Sequence, residues 1–154
     1  MKVILEGKEF DLSYEEQLKC SEETINEDLK NQPSLFAWYA VLQELAEAKE
    51  SQAKVELEVV DASLDAKFRN ELKDAKATET IIRNKVILDD LHLEKLNELN
   101  QAKKEVGILR AIVAAFSHRK DILISLASNM RVSADPELWI KKKEVAATLK
   151  PIGG

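Results

Sequence analysis

The chain of 154 residues has a single cysteine, Cys20, which excludes an internal disulfide and a multi-cysteine zinc site. With three prolines and four glycines it is too poor in both for a loop-rich or all-β domain. The glycines are Gly7, Gly107 and Gly153-Gly154, so there is no glycine-rich phosphate loop, and the terminal pair reads as a frayed end. The two histidines, His92 and His118, lie far apart. His118, beside Arg119, reads as a surface or interface group rather than a base. Cys20 has no nearby histidine and reads as a small hydrophobe. Asp89-Asp90 with Glu94 and Glu98 reads as a solvated helix face rather than a cation site. No catalytic, cofactor or metal constellation emerges, so the expectation is a protein that is not an enzyme.

No apolar run approaches the ~20 residues of a membrane span, the best being Ala111 to Phe116. Met1 to Leu12 alternates polar and apolar residues and does not read as a signal peptide. The expected setting is a reducing cytoplasm, that of the host cell if the protein is phage-encoded.

The chain does have hydrophobic residues (45%) and charge (33%), enough apolar surface to fold and enough Ala, Glu, Lys and Leu to favour long helices. Its charge is polarised. Residues 1–64 carry 6 Lys, no Arg and 15 acids, a net −9, and residues 65–154 carry 17 Lys+Arg against 13 acids, a net +4. All five arginines lie in the second part. On charge alone, an acidic half pairing with its own basic half explains this better than an anionic partner.

Met1 to Leu12 predicts a β-hairpin with Glu6-Gly7 as its turn, Val3 facing Phe10 and Met1 facing Leu12. Ser13-Tyr14-Glu15-Glu16 is a capping box, which starts a short helix at Tyr14. Ser21 suits the cap of another short helical turn ending before Asn31-Gln32. Pro33 fits the first position of a long helix. Its stripe runs through Leu35, Trp38, Leu42 and Leu45, weakens at Lys49 and Gln52, and resumes at Leu57, Val60, Leu64, Phe68 and Leu72. That predicts about 40 residues, or about 60 Å, of amphipathic helix.

A reversal is expected between Lys73 and Thr80, with Thr78 or Thr80 capping the next helix. One unbroken helix from Pro33 to Arg131 is the competing reading. The second helix should run from about Glu79 to Arg131. Leu99, Ala102, Val106, Leu109, Val113, Phe116, Lys120, Leu123, Ala127 and Met130 alternate at three and four, as in a coiled coil. Upstream the same register meets Lys95, His92 and Lys85, while Ile82, Val86, Leu93 and Leu96 keep a neighbouring stripe, so the seam shifts as a stutter would make it do. Asp135-Pro136 predicts a last helix, with Lys141-Lys142-Lys143 on its basic side and Pro151 ending it.

The expected fold is all-α: a long antiparallel helical hairpin or coiled coil, a short N-terminal β-hairpin and a C-terminal helix. The segments are residues 1–32, 33–131 and 132–154. Two such long helices share one seam and leave apolar side chains beside it, so self-assembly through the second helix is expected. Leu109, Ile112, Val113, Phe116, Leu123 and Met130 are the candidate contacts for a homo-oligomer.

Binding a nucleic-acid strand without reading bases needs several spaced cations and aromatics for stacking. Lys67, Arg69, Lys73, Lys76, Arg83 and Lys85 gather at the expected reversal around Phe68. Arg119 and Lys120, with Arg131, form a second candidate group. In an oligomer each group would repeat, and repetition converts weak binding into avidity.

At Ala115-Phe116-Ser117-His118-Arg119, followed by Ile122, Ile124 and Asn129-Met130-Arg131, the chain resembles the phage recombination mediator family (UvsY-like). Ile25-Asn26-Glu27-Asp28-Leu29 leading to Pro33-Ser34-Leu35 resembles that family's acidic lead-in and first long helix. Leu35-Phe36-Ala37-Trp38-Tyr39 resembles its aromatic start, and residues 77–114 its second helix. The likeness covers about 25–131. It implies a mediator that binds single-stranded DNA and assembles as a ring of several subunits. Such a mediator helps a RecA-like recombinase load onto strands covered by single-strand-binding protein. The family's Lys-x-Arg DNA-binding step finds its nearest counterpart, with a small insertion, in Lys67-Phe68-Arg69. Against this stands a helical interaction protein (chaperone, scaffold or inhibitor) without DNA binding. The acidic balance and the Leu35–Tyr39 cluster motivate that alternative.

Overall fold

A computed structural model describes residues 1–75, 77–134, 140, 141 and 143. Along the chain stand β1 (Lys2–Leu5), β2 (Lys8–Asp11), α1 (Tyr14–Gln17), α2 (Ile25–Glu71), a 3-10 turn at Lys73–Ala75, α3 (Glu79–Ile87) and α4 (Asp90–Ala134). The fold is all-α with a helical hairpin region and one two-stranded antiparallel sheet. Lys76 and the helix expected from Asp135 lie outside the described residues. Two compact units are present: residues 1–13 with 38–113, and residues 14–37 with 114–154.

In the first unit the hairpin has the expected register, Val3 opposite Phe10, and Leu12 N–H donates to Met1 O at 2.7 Å. Its turn places both Glu6 (φ 49°) and Gly7 (φ 73°) in the left-handed region, as a tight two-residue turn between twisted strands requires. Val3, Leu5 and Leu12 are buried on one face. Lys49 Nζ donates to Ile4 O at 3.0 Å and ties the ribbon to α2. A two-stranded ribbon needs such a support.

The helices of this unit pair antiparallel, because higher numbers on α2 meet lower numbers on α4. Glu47 meets Arg110, Lys49 meets Glu105, Glu56 meets Lys95 and Asp61 meets His92. Between these polar rungs Ala53, Leu99 and Ala102 pack with Leu57. Toward the reversal Leu64, Phe68, Ile82 and Val86 pack with Val60, Leu72 and Ala77. Tyr39, Leu42 and Ala46 continue the buried row, while Trp38 stays 39% exposed and meets Tyr39 edge-on, so the core row runs one residue away from the expected Trp38.

The expected second helix is two helices. α3 ends at Leu88 as its C-cap, and Asp89 Oδ1 accepts from Leu91 N–H at 2.9 Å to cap α4. The break absorbs the change of register that a stutter would have taken. His92 stays buried on the seam while Leu93 is 43% exposed. Thr78 is the N-cap residue of α3, with extended backbone angles. Lys49, read as a weakness in the stripe, is paired to Glu105 at 2.7 Å.

In the second unit Tyr14 opens a four-residue helix, as the capping box implies. Ser21 Oγ accepts from Thr24 N–H at 3.3 Å, but no separate helix ends before Asn31. Instead α2 begins at Ile25 and passes through Pro33, more than two turns inside it. Pro33 cannot donate to the carbonyl four residues back, a defect that normally kinks or ends a helix. Packing holds the segment in place. The preceding Gln32 is buried, and its Nε2 donates to Phe116 O at 2.6 Å.

Candidate nucleic-acid interface

The residues between the end of α2 and the start of α4 are where the expected cations gather. The reversal brings Lys67 of α2 and Lys85 of α3 over one ring. Their Nζ atoms lie 5.3 and 5.4 Å from the Phe68 centroid, a double cation–π contact. Phe68 itself is only 8% exposed and packs in the core with Leu64, Ile82 and Val86. It therefore holds the two lysines and does not offer a face on which a base could stack. Lys73, in the 3-10 turn, and Arg83, on α3, are exposed, and Arg83 borders a pocket that Asp61, Asp65 and Glu79 also line.

Arg69 has a different role from the one expected. Its Nη1 and Nη2 each donate to Glu79 at 2.6 Å, and its Nε donates to Asp65 at 2.6 Å. Glu79 first and Asp65 second push the guanidinium pKa above its ordinary value, and Arg69 in turn lowers that of Glu79. The side chain thus clasps α2 to the first turn of α3, with its charge balanced by two carboxylates.

Arg119 is likewise a structural group. It is 3% exposed in the second unit, where it donates to Gln32 Oε1 at 2.7 Å, Asp28 Oδ1 at 2.6 Å and Lys19 O at 3.2 Å. Only its Nε is buried without a partner. A strand outside the protein cannot reach it. Lys120 is exposed and lies 3.5 Å from Asp121, and Arg131 Nε donates to Ala127 O at 3.5 Å.

The candidate self-association residues also sort differently. Leu109, Ile112, Phe116 and Leu123 are at most 4% exposed within one chain, so its own residues already cover them. Val113 and Met130 are half-buried. Beside these candidates the apolar groups left outside are Ile122 and Ile124, 56% and 53% exposed, while Leu91 and Leu93 are exposed at the start of the same helix. The buried row is Leu109, Ile112, Phe116, Arg119 and Leu123, not the row through Val113 and Lys120. That spacing was a sequence signal for the burial of Arg119, since it continues the three-and-four alternation.

Among the described residues no cluster of three or more His, Cys, Asp or Glu side chains could hold a metal. His92 Nδ1 lies 2.6 Å from Asp61 Oδ1 and completes a polar rung of the seam. His118 is exposed, and Cys20 is half-buried with Sγ 3.5 Å from Leu18 O. No described helix is long and apolar enough to cross a membrane.

The chain matches no protein-family model, and comparison with curated proteins and with solved structures gives no match.

Proposed function

We propose that this protein is a recombination mediator. In this reading it binds single-stranded DNA and promotes loading of a RecA-like recombinase onto strands covered by single-strand-binding protein. The observation that carries the reading is the gathering of Lys67 and Lys85 on one ring, with Lys73 and Arg83 exposed on the turn and helix that follow α2. Sequence-independent binding to phosphates needs several spaced cations, and two helices and the turn between them supply these four. The ordered likeness of residues 25–131 to the mediator family supports the same reading. Arg69 and Arg119 are removed from the interface, leaving among the described residues Lys67, Lys73, Arg83 and Lys85, with Lys120 as a separate exposed cation. Assembly of several copies would repeat the four-cation group and raise its avidity.

The test is the mass of the protein in solution with and without poly-dT, followed by a loading assay. The protein should form a heavier complex with the strand and speed recombinase assembly on strands coated with single-strand-binding protein. A mass unchanged by poly-dT contradicts the reading.

One observation favours the alternative of a helical protein-interaction factor. Val55, Val59 and Leu88 are 57%, 62% and 75% exposed, more apolar surface than a solvated helix face needs. That alternative predicts a stable protein complex that survives nuclease and no affinity for oligonucleotides.

A further inference from the structure

Holding a strand without reading its bases uses two kinds of group, cations for the phosphates and exposed aromatic faces on which bases stack. The cations at the reversal have no such face beside them, because Phe68 is buried and its ring already carries Lys67 and Lys85. The second unit has one. Phe36, on the part of α2 that belongs to that unit, is 38% exposed. It lines a cavity of about 260 Å³ together with Gln32, Pro33, Phe116, Ser117 and Lys120. Two of these walls are fixed: Gln32 Nε2 donates to Phe116 O at 2.6 Å, and Gln32 Oε1 accepts from Arg119 at 2.7 Å. Pro33 adds a rigid apolar ring. Sites for whole small ligands start at about 300 Å³, so this cavity suits a single ring.

The charges around the cavity say what accompanies that ring. None of its lining residues is a carboxylate, and Lys120 stands exposed at its edge. Arg131 is also exposed, three turns further along α4, on the same face as Lys120 and about 16 Å from it. On α2, Lys30 is exposed just before Pro33. The acids nearby point elsewhere or are taken. Asp28 is held by Arg119 at 2.6 Å, and Glu27, nine residues before Phe36, lies on the opposite side of α2. Asp121 is 3.5 Å from Lys120 as its chain neighbour, both well exposed, a pairing that solvent makes weak. The face therefore favours a ring joined to anions that recur along a line. A nucleic-acid strand supplies both on every nucleotide.

We propose that the cavity between Phe36 and Lys120 holds one base of a bound single strand, stacked on Phe36, with Lys120 and Arg131 on its phosphates. This rests on the reading of the protein as a strand binder and adds the place where a base is held.

The test compares labelled oligo-dT with an abasic strand of the same length, which has the phosphates and no bases. Binding to the full-length protein is followed by fluorescence anisotropy at one low salt concentration. Oligo-dT should bind at least about fivefold more tightly, the gain expected of a stacked base. Phe36→Leu keeps an apolar side chain but no flat ring. It should cut the oligo-dT affinity by about that factor and bring the two strands close to equal, and Phe36→Trp should restore the difference. Lys120→Gln should weaken both strands alike and flatten the log–log salt slope by about 0.7. Equal binding of the two strands by the unaltered protein overturns the proposal and leaves strand binding standing. A preference for oligo-dT that survives Phe36→Leu does the same. Failure to bind either strand overturns both readings. An acidic phenylalanine-containing peptide that binds through Phe36 and is not displaced by oligo-dT would assign the cavity to a protein partner and overturn the proposal.

Discussion

Arg119 and Gly107 show how much a single position of α4 can matter. Removing the Arg119 side chain would leave Asp28 and Gln32 without their shared donor in a buried setting. Breaking such a pair costs about 3 kcal/mol or more. Arg119→Ala should therefore lower the urea midpoint sharply, and an unchanged midpoint would show that the network is not structural. Gly107 lies mid-helix, and a Cβ added there meets nothing within 4 Å. Gly107→Ala should stabilise the protein by about 1 kcal/mol, read as a higher melting temperature. Gly7 differs, because its positive φ of 73° disfavours any side chain.

At the scale of elements, Asp89 decides where one helix becomes two. Its side chain accepts from Leu91 N–H at 2.9 Å, so Asp89→Ala should cost about 1 kcal/mol in urea denaturation while Asp89→Asn should cost little. Local chemistry made several elements legible in the sequence. The hairpin needed only its turn and alternation, the short helix only its capping box, and the reversal only a polar gap with Thr78 after it. Pro33 misled because the preference of proline for a first helical turn is local, whereas the helix passing through it is held by Gln32 and Phe116 from distant parts of the chain. Asp89-Asp90 carried a capping signal that was read only as solvated charge. Which cations of the candidate interface stay exposed was not legible. Asp65 stands one turn before Arg69, but Glu79 reaches it only after the chain has reversed. Arg119 was readable as buried from its place in the Leu109–Leu123 row, though not from its charge.

At the scale of the whole molecule, charge pairing links stability to acid. Glu47, Glu56 and Glu79 have pKa values held below the ordinary 4.5, by hydrogen bonds from Gln43 and then Arg110, from Lys95 and then Gln52, and from Arg69 respectively. A carboxylate whose folded pKa is lowered adds stability above its unfolded pKa. That contribution is lost as the pH falls through the folded value. The melting temperature should thus be level from neutral pH down to about 5 and fall below it, and Glu79→Gln should make the fall shallower. The acidic residues up to Leu64 and the basic residues beyond it serve two purposes in this account. Part of the positive charge locks the helices together, and the part left at the reversal is free to meet an anion.

That division is tested most directly by the salt dependence of oligo-dT affinity, measured by anisotropy for the unaltered protein and for Lys67→Gln/Lys73→Gln/Arg83→Gln/Lys85→Gln. Single strands release about 0.7 counterion per neutralised phosphate, so loss of four contacts should flatten the log–log slope by about 3. An affinity that does not respond to salt, or a slope the four substitutions leave unchanged, would contradict the account.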